Sequence, residues 1–154
     1  MGYTHYWFKL GRHNPQQWEE IFPRLSKDAA LLIAASGVAI AGSAGEGEPY
    51  LNEDTIALNG SENHGGSHES FILRRGGVGS RGGFCKTAEK PYDVVVTAIL
   101  IRAAQLLGEQ YMAEGGKGEI SSDGNWGQWN SGRQLVDKVF PGEEIFCPWG
   151  EGTD

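Results

Sequence analysis

Histidines are the residues of this chain whose type and spacing first suggest chemistry. His5 and His68 each fall in a segment with strand character, so across one sheet they could face each other as a general acid and base, with Ser70 at alternate spacing. The competing interpretation is that each is a hydrogen-bonded structural residue. His64 and His68 have the four-residue spacing of a helical metal pair, but the two glycines between them disfavour a helix, so no metal site is predicted.

A second set of candidate residues lies directly ahead of the second predicted helix, in CKTAEKP at 85–91. A helix N-terminus has unpaired N–H groups and positive dipole potential, which together favour an anion. Lys86, Thr87 and Lys90 would add two ammonium groups and a hydroxyl for a phosphate or carboxylate. In the alternative, the lysines are solvated and Thr87 caps the turn. Cys85 is either a thiol activated by the lysines or, more commonly on an apolar strand, a small buried hydrophobic residue.

The third set follows the last predicted strand. Asp123, next to Ser122, could accept a ribose hydroxyl or orient a histidine, although the role of N-cap for the next helix is favoured. Trp126 and Trp129 share one helical face, where packing in the core is favoured over stacking on a base.

Periodicity and turn residues predict the elements that must position these side chains, in the order β-α-β-β-β-β-α-β-α. The predicted strands are 4–9, 38–42, 55–60, 69–75, 84–87 and 119–123, and the predicted helices are 15–36, 91–114 and 125–140. In the first strand His5 lies on one face, while Tyr6 and Phe8 take the other. Pro23 predicts a bend that separates two segments of the first helix, which Gly37 closes.

This order of elements is typical of an α+β fold. We expect a two-layer sandwich in which one mostly antiparallel sheet is covered by two long helices and one shorter helix. Residues 1–140 would form a single domain, and 141–154 an irregular C-terminal tail. The tail is either loosely attached or docks Phe146 and Trp149 on the core or on a neighbouring subunit. The glycine-rich segment 76–83 is expected to be a flexible loop.

Composition narrows the classes of function. A chain of 154 residues with a net charge of −7 is unsuited to general nucleic-acid binding. A local basic pocket for a small anionic ligand is still compatible with that charge. Two distant cysteines provide neither a disulfide framework nor a four-cysteine zinc site. With no signal-peptide pattern and no apolar run long enough for a membrane, we expect a cytoplasmic protein that needs no cofactor.

Four motifs extend through most of the chain in a fixed order. They are MGYTHYW at 1–7, NG at 59–60 with the later HESF at 68–71, FCKTAEKPYDVVVTAIL at 84–100, and ISSDGNWGQW at 120–129. Together they resemble a family of short uncharacterised proteins from bacteriophages, prophages and bacteria. The resemblance implies that the motif residues are His5, His68, 85–87, 90–93 and 122–123. It also implies a phage accessory protein that acts in the host cytoplasm and counters host defence, whereas His64, the Cys147 tail and the loop 76–83 depart from the family pattern.

Three functional hypotheses follow. In the leading one the protein sequesters a small phosphorylated, nucleotide-like ligand without turnover. The residues predicted to bind that ligand are His5, Tyr6, His68, Lys86, Thr87, Lys90, Tyr92, Ser122 and Asp123. In the second, a small hydrolase or phosphodiesterase uses His5 and His68 as acid and base and Lys86 to stabilise negative charge. In the third, the acidic surface and aromatic tail bind and inhibit a host defence protein. Separately from these hypotheses, a homo-oligomer is one expected assembly of the chain.

A fourth, structural interpretation assigns no ligand at all. In it the motif residues hold strand ends together by hydrogen bonds.

Overall fold

The computed structural model describes residues 3–12, 14–77, 83–108 and 120–150. In it a first strand and a long α-helix are followed by a run of short strands, and two further α-helices lie in the C-terminal half. The strands are β1 (Thr4–Tyr6), β2 (Ile40–Ala41), β3 (Tyr50–Leu51), β4 (Thr55–Gly60), β5 (Phe71–Arg74), β6 (Phe84–Lys86) and β7 (Ser121–Ser122). The helices are α1 (Pro15–Ser36), α2 (Asp93–Leu107) and α3 (Asn130–Val139). All described strand pairs are antiparallel, so the predicted α+β class is confirmed.

The described strands form two sheets, which corrects the prediction of one. A three-stranded sheet has the order β6-β1-β7, and in a four-stranded sheet β4 pairs with β2, β3 and β5. β1 ends at Tyr6 instead of Lys9 because turns follow it, with the N–H of Leu10 donating to Trp7 C=O at 3.0 Å. β3 is absent from the prediction because a strand of two residues has no alternation to detect.

α1 runs without interruption through Pro23, so its predicted division into two segments is wrong. Proline has no N–H to donate to the carbonyl four residues earlier, which here belongs to Glu19. Arg75, just after β5, donates from Nε to that carbonyl at 3.0 Å. The side chain replaces the missing helical hydrogen bond, and the helix continues to Ser36.

α2 is the central helix of the core, and residues 95–104 are all buried. Buried Arg102 donates to Asp28 of α1 at 2.9 Å and to Glu143 at 2.7 Å, and its guanidinium lies 3.7 Å from the centre of the Phe140 ring. α2 ends at Leu107, before the predicted end near residue 114, and residues 109–119 lie outside the described part. Most of the predicted loop 76–83 also lies outside it.

The described part of the C-terminal tail packs on the core. Trp149 lies edge-on to Trp129 and Trp126, with ring centres 4.9 and 5.8 Å apart, and Cys147 is buried. The interpretation of a loosely attached tail is therefore wrong for residues up to 150. Among the described helices, none combines the length and apolar composition required to cross a bilayer.

Candidate functional site

A row of three side chains crosses one face of the three-stranded sheet. β1 is the central strand, and His5 pairs with Cys85 on β6 and with Ser122 on β7. Residues that pair directly point to the same face of a sheet, so the three side chains lie in one row. His5 and Cys85 are fully buried, and this face is therefore the inner face of the sheet.

Both ring nitrogens of His5 have partners on this face. Nδ1 lies 2.8 Å from Ser122 Oγ, and Nε2 lies 2.6 Å from Asp93 Oδ1 on α2. Thr87 Oγ1 donates to the same Asp93 oxygen at 2.5 Å. These four residues, Ser122, His5, Asp93 and Thr87, form one hydrogen-bonded chain that we call the inner network.

Ser122 Oγ is surrounded by polar groups of the inner face. The N–H of Gly124 and the indole N–H of Trp129 both donate to it, at 2.8 and 3.2 Å. The Tyr3 side chain also hydrogen-bonds Ser122. Together with His5 Nδ1, these groups tie the end of β7 to β1 and to Trp129.

Two aromatic rings hold the imidazole of His5 in place. Tyr3 and Trp129 lie edge-on to it, with ring centres 5.1 and 5.0 Å away. Burial, followed by the negative charge of Asp93 and of other nearby carboxylates, raises the pKa of Tyr3 to about 12. This end of the sheet is thus an electronegative environment with a phenol that stays protonated at neutral pH.

The N-terminus of α2 does not present free donors to an anion, contrary to the prediction. The N–H groups of Asp93, Val94 and Val95 donate to carbonyls three residues earlier, at 2.8, 3.4 and 3.0 Å. The Asp93 carboxylate also lies in the first turn and complements the helix dipole. Thr87 is fully buried and donates to that carboxylate, so in this conformation its hydroxyl is not accessible to an anion.

The turn from Thr87 to Lys90 has an unusual backbone. Ala88 and Glu89 have φ angles of 53° and 59°, and the Lys90 N–H donates to Thr87 C=O at 3.0 Å. This is the pattern of a type I′ turn, which usually contains Asn and Gly. The left-handed conformation costs about 1–2 kcal/mol for each non-glycine residue. The carbonyl of Tyr3 accepts from the N–H groups of Thr87 and Ala88 and holds the turn against the sheet.

Cys85 on β6 and Tyr92 are buried next to each other. The Cys85 thiol and the Tyr92 hydroxyl both donate to the carbonyl of Glu69, at 3.3 and 2.5 Å. Burial raises the pKa of Cys85 to about 12 and also raises the pKa of Tyr92, so both groups stay protonated at neutral pH. Cys85 is therefore a small buried residue. Tyr92 is fully buried, so its ring is not accessible for stacking in this conformation.

His68 lies apart from the inner network, so the predicted pairing of His5 with His68 across one sheet is wrong. His68 is exposed and precedes β5, which belongs to the four-stranded sheet. The Asn59 side chain binds its N–H and its C=O, each at 3.0 Å. Since both nitrogens of the buried His5 have other partners, an acid–base pair of these histidines has no geometric basis.

The loop 61–70 covers the edge of β6. The Glu69 carboxylate accepts the Lys86 N–H at 2.7 Å, and Lys90 Nζ donates to the carbonyl of Gly65 at 3.4 Å. Lys90 thus ties the loop to the turn before α2. The described ranges contain no group of three or more His, Cys, Asp or Glu side chains arranged for a metal ion, His64 and His68 included.

The opposite face of the three-stranded sheet carries accessible side chains. Thr4 pairs with Lys86, and Tyr6 pairs with Phe84, so all four point away from the inner network. Phe8 follows, with its ring centre 5.8 Å from that of Tyr6 and 6.0 Å from that of Phe84. Phe8 and Phe84 are 47% and 43% exposed. We call Tyr6, Phe8 and Phe84 the aromatic face.

Lys86 and Asp123 flank the aromatic face. Asp123 accepts the Tyr6 hydroxyl at 3.0 Å and the Thr4 N–H at 3.1 Å. Partial burial and the hydrogen bond to Asp123 raise the pKa of Tyr6. The favoured role of Asp123 as N-cap is wrong, because Asn125 caps the helical turn that follows. Within the described residues, the Lys86 ammonium has no ion-pair partner.

The residues predicted to bind a ligand thus separate by accessibility. His5, Thr87 and Tyr92 are fully buried, so in this conformation their side chains are not accessible to a ligand. Ser122 is half-buried and belongs to the inner network, while His68 and Lys90 belong to the loop and turn around β6. Of the residues predicted to bind a ligand, Tyr6, Lys86 and Asp123 lie on the outer face of the three-stranded sheet.

Sequence reasoning missed the roles of Phe84, Phe8 and Asp93. Alternation along the first strand already placed Phe8 opposite to His5, and Phe84 alternates with Lys86 in the same way. An exposed aromatic at alternate spacing beside a lysine was the available signal. Asp93 gave no signal of its network, because its partner His5 lies 88 positions earlier in the sequence.

Comparison with known proteins identifies no relative of this chain. The chain matches no protein-family model, no curated protein and no solved structure.

Proposed function

We propose that this chain binds a small phosphorylated, nucleotide-like ligand on the outer face of the three-stranded sheet. The observation that carries the proposal is the exposed aromatic face beside the Asp123 carboxylate and the Lys86 ammonium, which has no ion-pair partner among the described residues. By analogy with the phage family that its motifs resemble, we further propose an accessory protein that sequesters a host signalling nucleotide and so counters defence.

The aromatic face suits a planar base. Phe8 and Phe84 leave nearly half of their surfaces in water, and with Tyr6 they form a continuous apolar patch. Every base has an aromatic face, and stacking on a protein aromatic is worth about 1–3 kcal/mol for each base. Aromatic rings on an open sheet are a recurring way to hold unpaired bases.

The polar groups beside the rings suit the rest of a nucleotide. Lys86 lies on β6 and Asp123 follows β7, on opposite sides of β1. Two strand spacings separate them by about 10 Å, which is within the span of one nucleotide. Lys86 would attract a phosphate as a point charge, and Asp123 would accept a ribose hydroxyl. The Asp123 carboxylate accepts hydrogen bonds from the Tyr6 hydroxyl and the Thr4 N–H, and these fix its position.

The acidic character of the chain favours a small ligand over a polymer. With a net charge of −7, a long polyanion would be repelled, whereas one phosphate needs only the local ammonium of Lys86. The docked Trp149 does not support the alternative in which a free aromatic tail binds a host protein.

Isothermal titration calorimetry with mono-, di- and cyclic nucleotides tests this proposal. Phe84→Ser and Lys86→Gln should each weaken binding about tenfold or more, corresponding to about 1.4 kcal/mol. The matched controls on α1 are Leu31→Ser, which alters another exposed apolar residue, and Lys27→Gln, which removes an exposed lysine. Chromatography should recover the ligand unchanged. Equal losses in the control variants, or no heat with any nucleotide, would contradict the proposal.

A further inference from the structure

A cleft between α1 and the turn that joins β3 to β4 lies away from the three-stranded sheet. Its volume is about 440 Å³. Sites for small molecules usually have volumes of about 300–1,000 Å³. One wall is formed by Pro23, Ser26, Lys27 and Ala30, whose helical spacing places them on one side of α1. Residues 51–53 form the other wall.

Ser26 is the most buried of the residues that line this cleft. Its residue is 5% exposed, whereas Lys27, Asn52 and Glu53 on the rim are exposed. Within the described part of the chain, no group forms a hydrogen bond with the Ser26 hydroxyl. Buried polar groups without a partner are rare, because the loss of hydration is not compensated. The hydroxyl is therefore available to a ligand that fills the cleft.

Lys27 and Glu53 give the rim of the cleft one charge of each sign. Among the residues that the structure describes, neither side chain has an ion-pair or hydrogen-bond partner. An ammonium and a carboxylate in one cleft match a ligand that carries both charges. A phosphate would be attracted by Lys27 but repelled by Glu53. The cleft thus favours a zwitterion over a nucleotide.

The turn after β3 fixes a third polar group on the rim. Asn52 Oδ1 accepts the N–H groups of Asp54 and Thr55 at 2.8 and 2.9 Å. The Asn52 N–H also donates to Thr55 C=O at 3.0 Å. These bonds occupy the amide oxygen, while the Nδ2 hydrogens have no acceptor among the described residues. Asn52 therefore offers N–H donors, which suit a carboxylate.

We propose that this cleft binds a free α-amino acid with an uncharged polar side chain, such as glutamine. Lys27 and Asn52 donate to its α-carboxylate, and Glu53 accepts from its α-ammonium. The amide at the end of its side chain exchanges a hydrogen bond with Ser26, and its methylene groups pack against Leu51. This site is independent of the nucleotide site on the outer face of the three-stranded sheet.

The buried hydroxyl decides which class of side chain fits. An apolar side chain would leave Ser26 buried without a partner, and a charged side chain would lose its hydration without an opposite charge beside it. An amide both donates and accepts, as a hydroxyl does, so the two groups form a hydrogen bond in either orientation.

An NMR titration of ¹⁵N-labelled protein with L-glutamine tests the site, and L-methionine is a ligand of the same length that lacks the amide. Glutamine should produce saturable shifts at the backbone amides of Ser26, Lys27 and Asn52. Methionine should bind about tenfold more weakly. Lys27→Gln should weaken glutamine binding about tenfold or more. Lys86→Gln, which alters the outer face, should leave it unchanged.

Ser26→Ala separates a ligand-binding serine from a structural one. Without ligand, the variant should be at least as stable as the wild type, because an unpaired hydroxyl is removed and alanine favours a helix. Its preference for glutamine over methionine should fall to about twofold or less. The matched control is Ser131→Ala, at an exposed position of α3, which should keep the full preference.

Three results would overturn this inference. They are the absence of saturable shifts with glutamine up to millimolar concentration, equal binding of methionine, and a Ser26→Ala variant that keeps the preference. A strongly destabilised Ser26→Ala would also contradict it, since the hydroxyl would then have a partner within the fold. Nucleotide binding measured on the same samples reports on the outer face separately.

Discussion

The two faces of the three-stranded sheet use the same strands in opposite ways. On the inner face, Ser122, His5, Asp93 and Thr87 are bonded to one another, and His5 is completely buried. On the outer face, Phe8 and Phe84 remain exposed beside Lys86. Side chains along a strand point alternately to its two faces. Polar residues that are close in the sequence therefore have structural roles on one face and accessible roles on the other. Changes on the inner face should therefore alter stability first, and changes on the outer face should alter binding first.

His5→Ala should have the largest effect on stability. It leaves a cavity and removes the partners of Ser122 and Asp93, and each lost buried partner costs about 1–3 kcal/mol. We expect the free energy of unfolding from urea titration to fall by about 3–4 kcal/mol. His68→Ala, which alters an exposed histidine, should change it by less than about 0.5 kcal/mol. Similar values for the two variants would show that the inner network is not structural.

Thr87→Val should have the next largest effect. The change preserves shape but removes the hydroxyl that donates to Asp93, so one buried acceptor loses a partner. We expect a loss of about 1–2 kcal/mol in the same titration. Thr55→Val on β4 is the control and should lie within about 0.5 kcal/mol of the wild type. A neutral Thr87→Val would mean that the threonine does not hold the carboxylate.

Alkaline pH should weaken the fold through Tyr3. Its pKa is raised from 10.0 to about 12 in the folded state. For a raised pKa the contribution to stability is complete below the unfolded value and is lost as pH rises through the folded value. The free energy of unfolding should therefore fall between pH 10 and 12, and Tyr3→Phe should remove on the order of 1 kcal/mol of that fall at pH 11.

Cys85 complicates that titration and provides a second check. Its pKa rises from 9.0 to about 12, so it adds a loss that begins near pH 9. Iodoacetamide should alkylate Cys85 in folded protein at pH 8 far more slowly than in unfolded protein. A titration curve that is identical in wild type and Tyr3→Phe would place the tyrosine outside the buried inner face.

Ala88→Gly should produce the smallest change, and in the opposite direction. Glycine removes the cost of the left-handed conformation but adds freedom to the unfolded chain, for a net gain of about 0.5–1 kcal/mol. Ala30→Gly, at an exposed position within α1, should lose about the same amount. If Ala88→Gly is destabilising, the turn into Asp93 does not carry the strain that its φ angles indicate.

The sequence predicted the elements better than their assembly. The α+β class and the strands at 55–60 and 84–87 follow from local alternation, which the chain itself displays. The continuity of α1 could not be predicted, because the group that replaces the missing N–H of Pro23 comes from Arg75. The division into two sheets depends on long-range pairing that alternation alone leaves open.

The candidate site was predictable as a set of residues but not as an arrangement. The motifs indicated His5, Lys86, Ser122 and Asp123, and the structure does gather these around β1. Their division between two faces required the register of β6 and β7, which no local pattern fixes. The burial of Tyr92 could not be predicted, because it depends on the loop 61–70. The carbonyl of Glu69 in that loop accepts a hydrogen bond from the Tyr92 hydroxyl.

An NMR titration of ¹⁵N-labelled protein with a nucleoside monophosphate and a cyclic dinucleotide tests the central claim most directly. The claim predicts saturable shifts of the backbone amides of Tyr6, Phe84, Lys86 and Asp123, with little change at Lys27 on α1. Shifts confined to other elements, or no shifts with either nucleotide up to millimolar concentration, would contradict it.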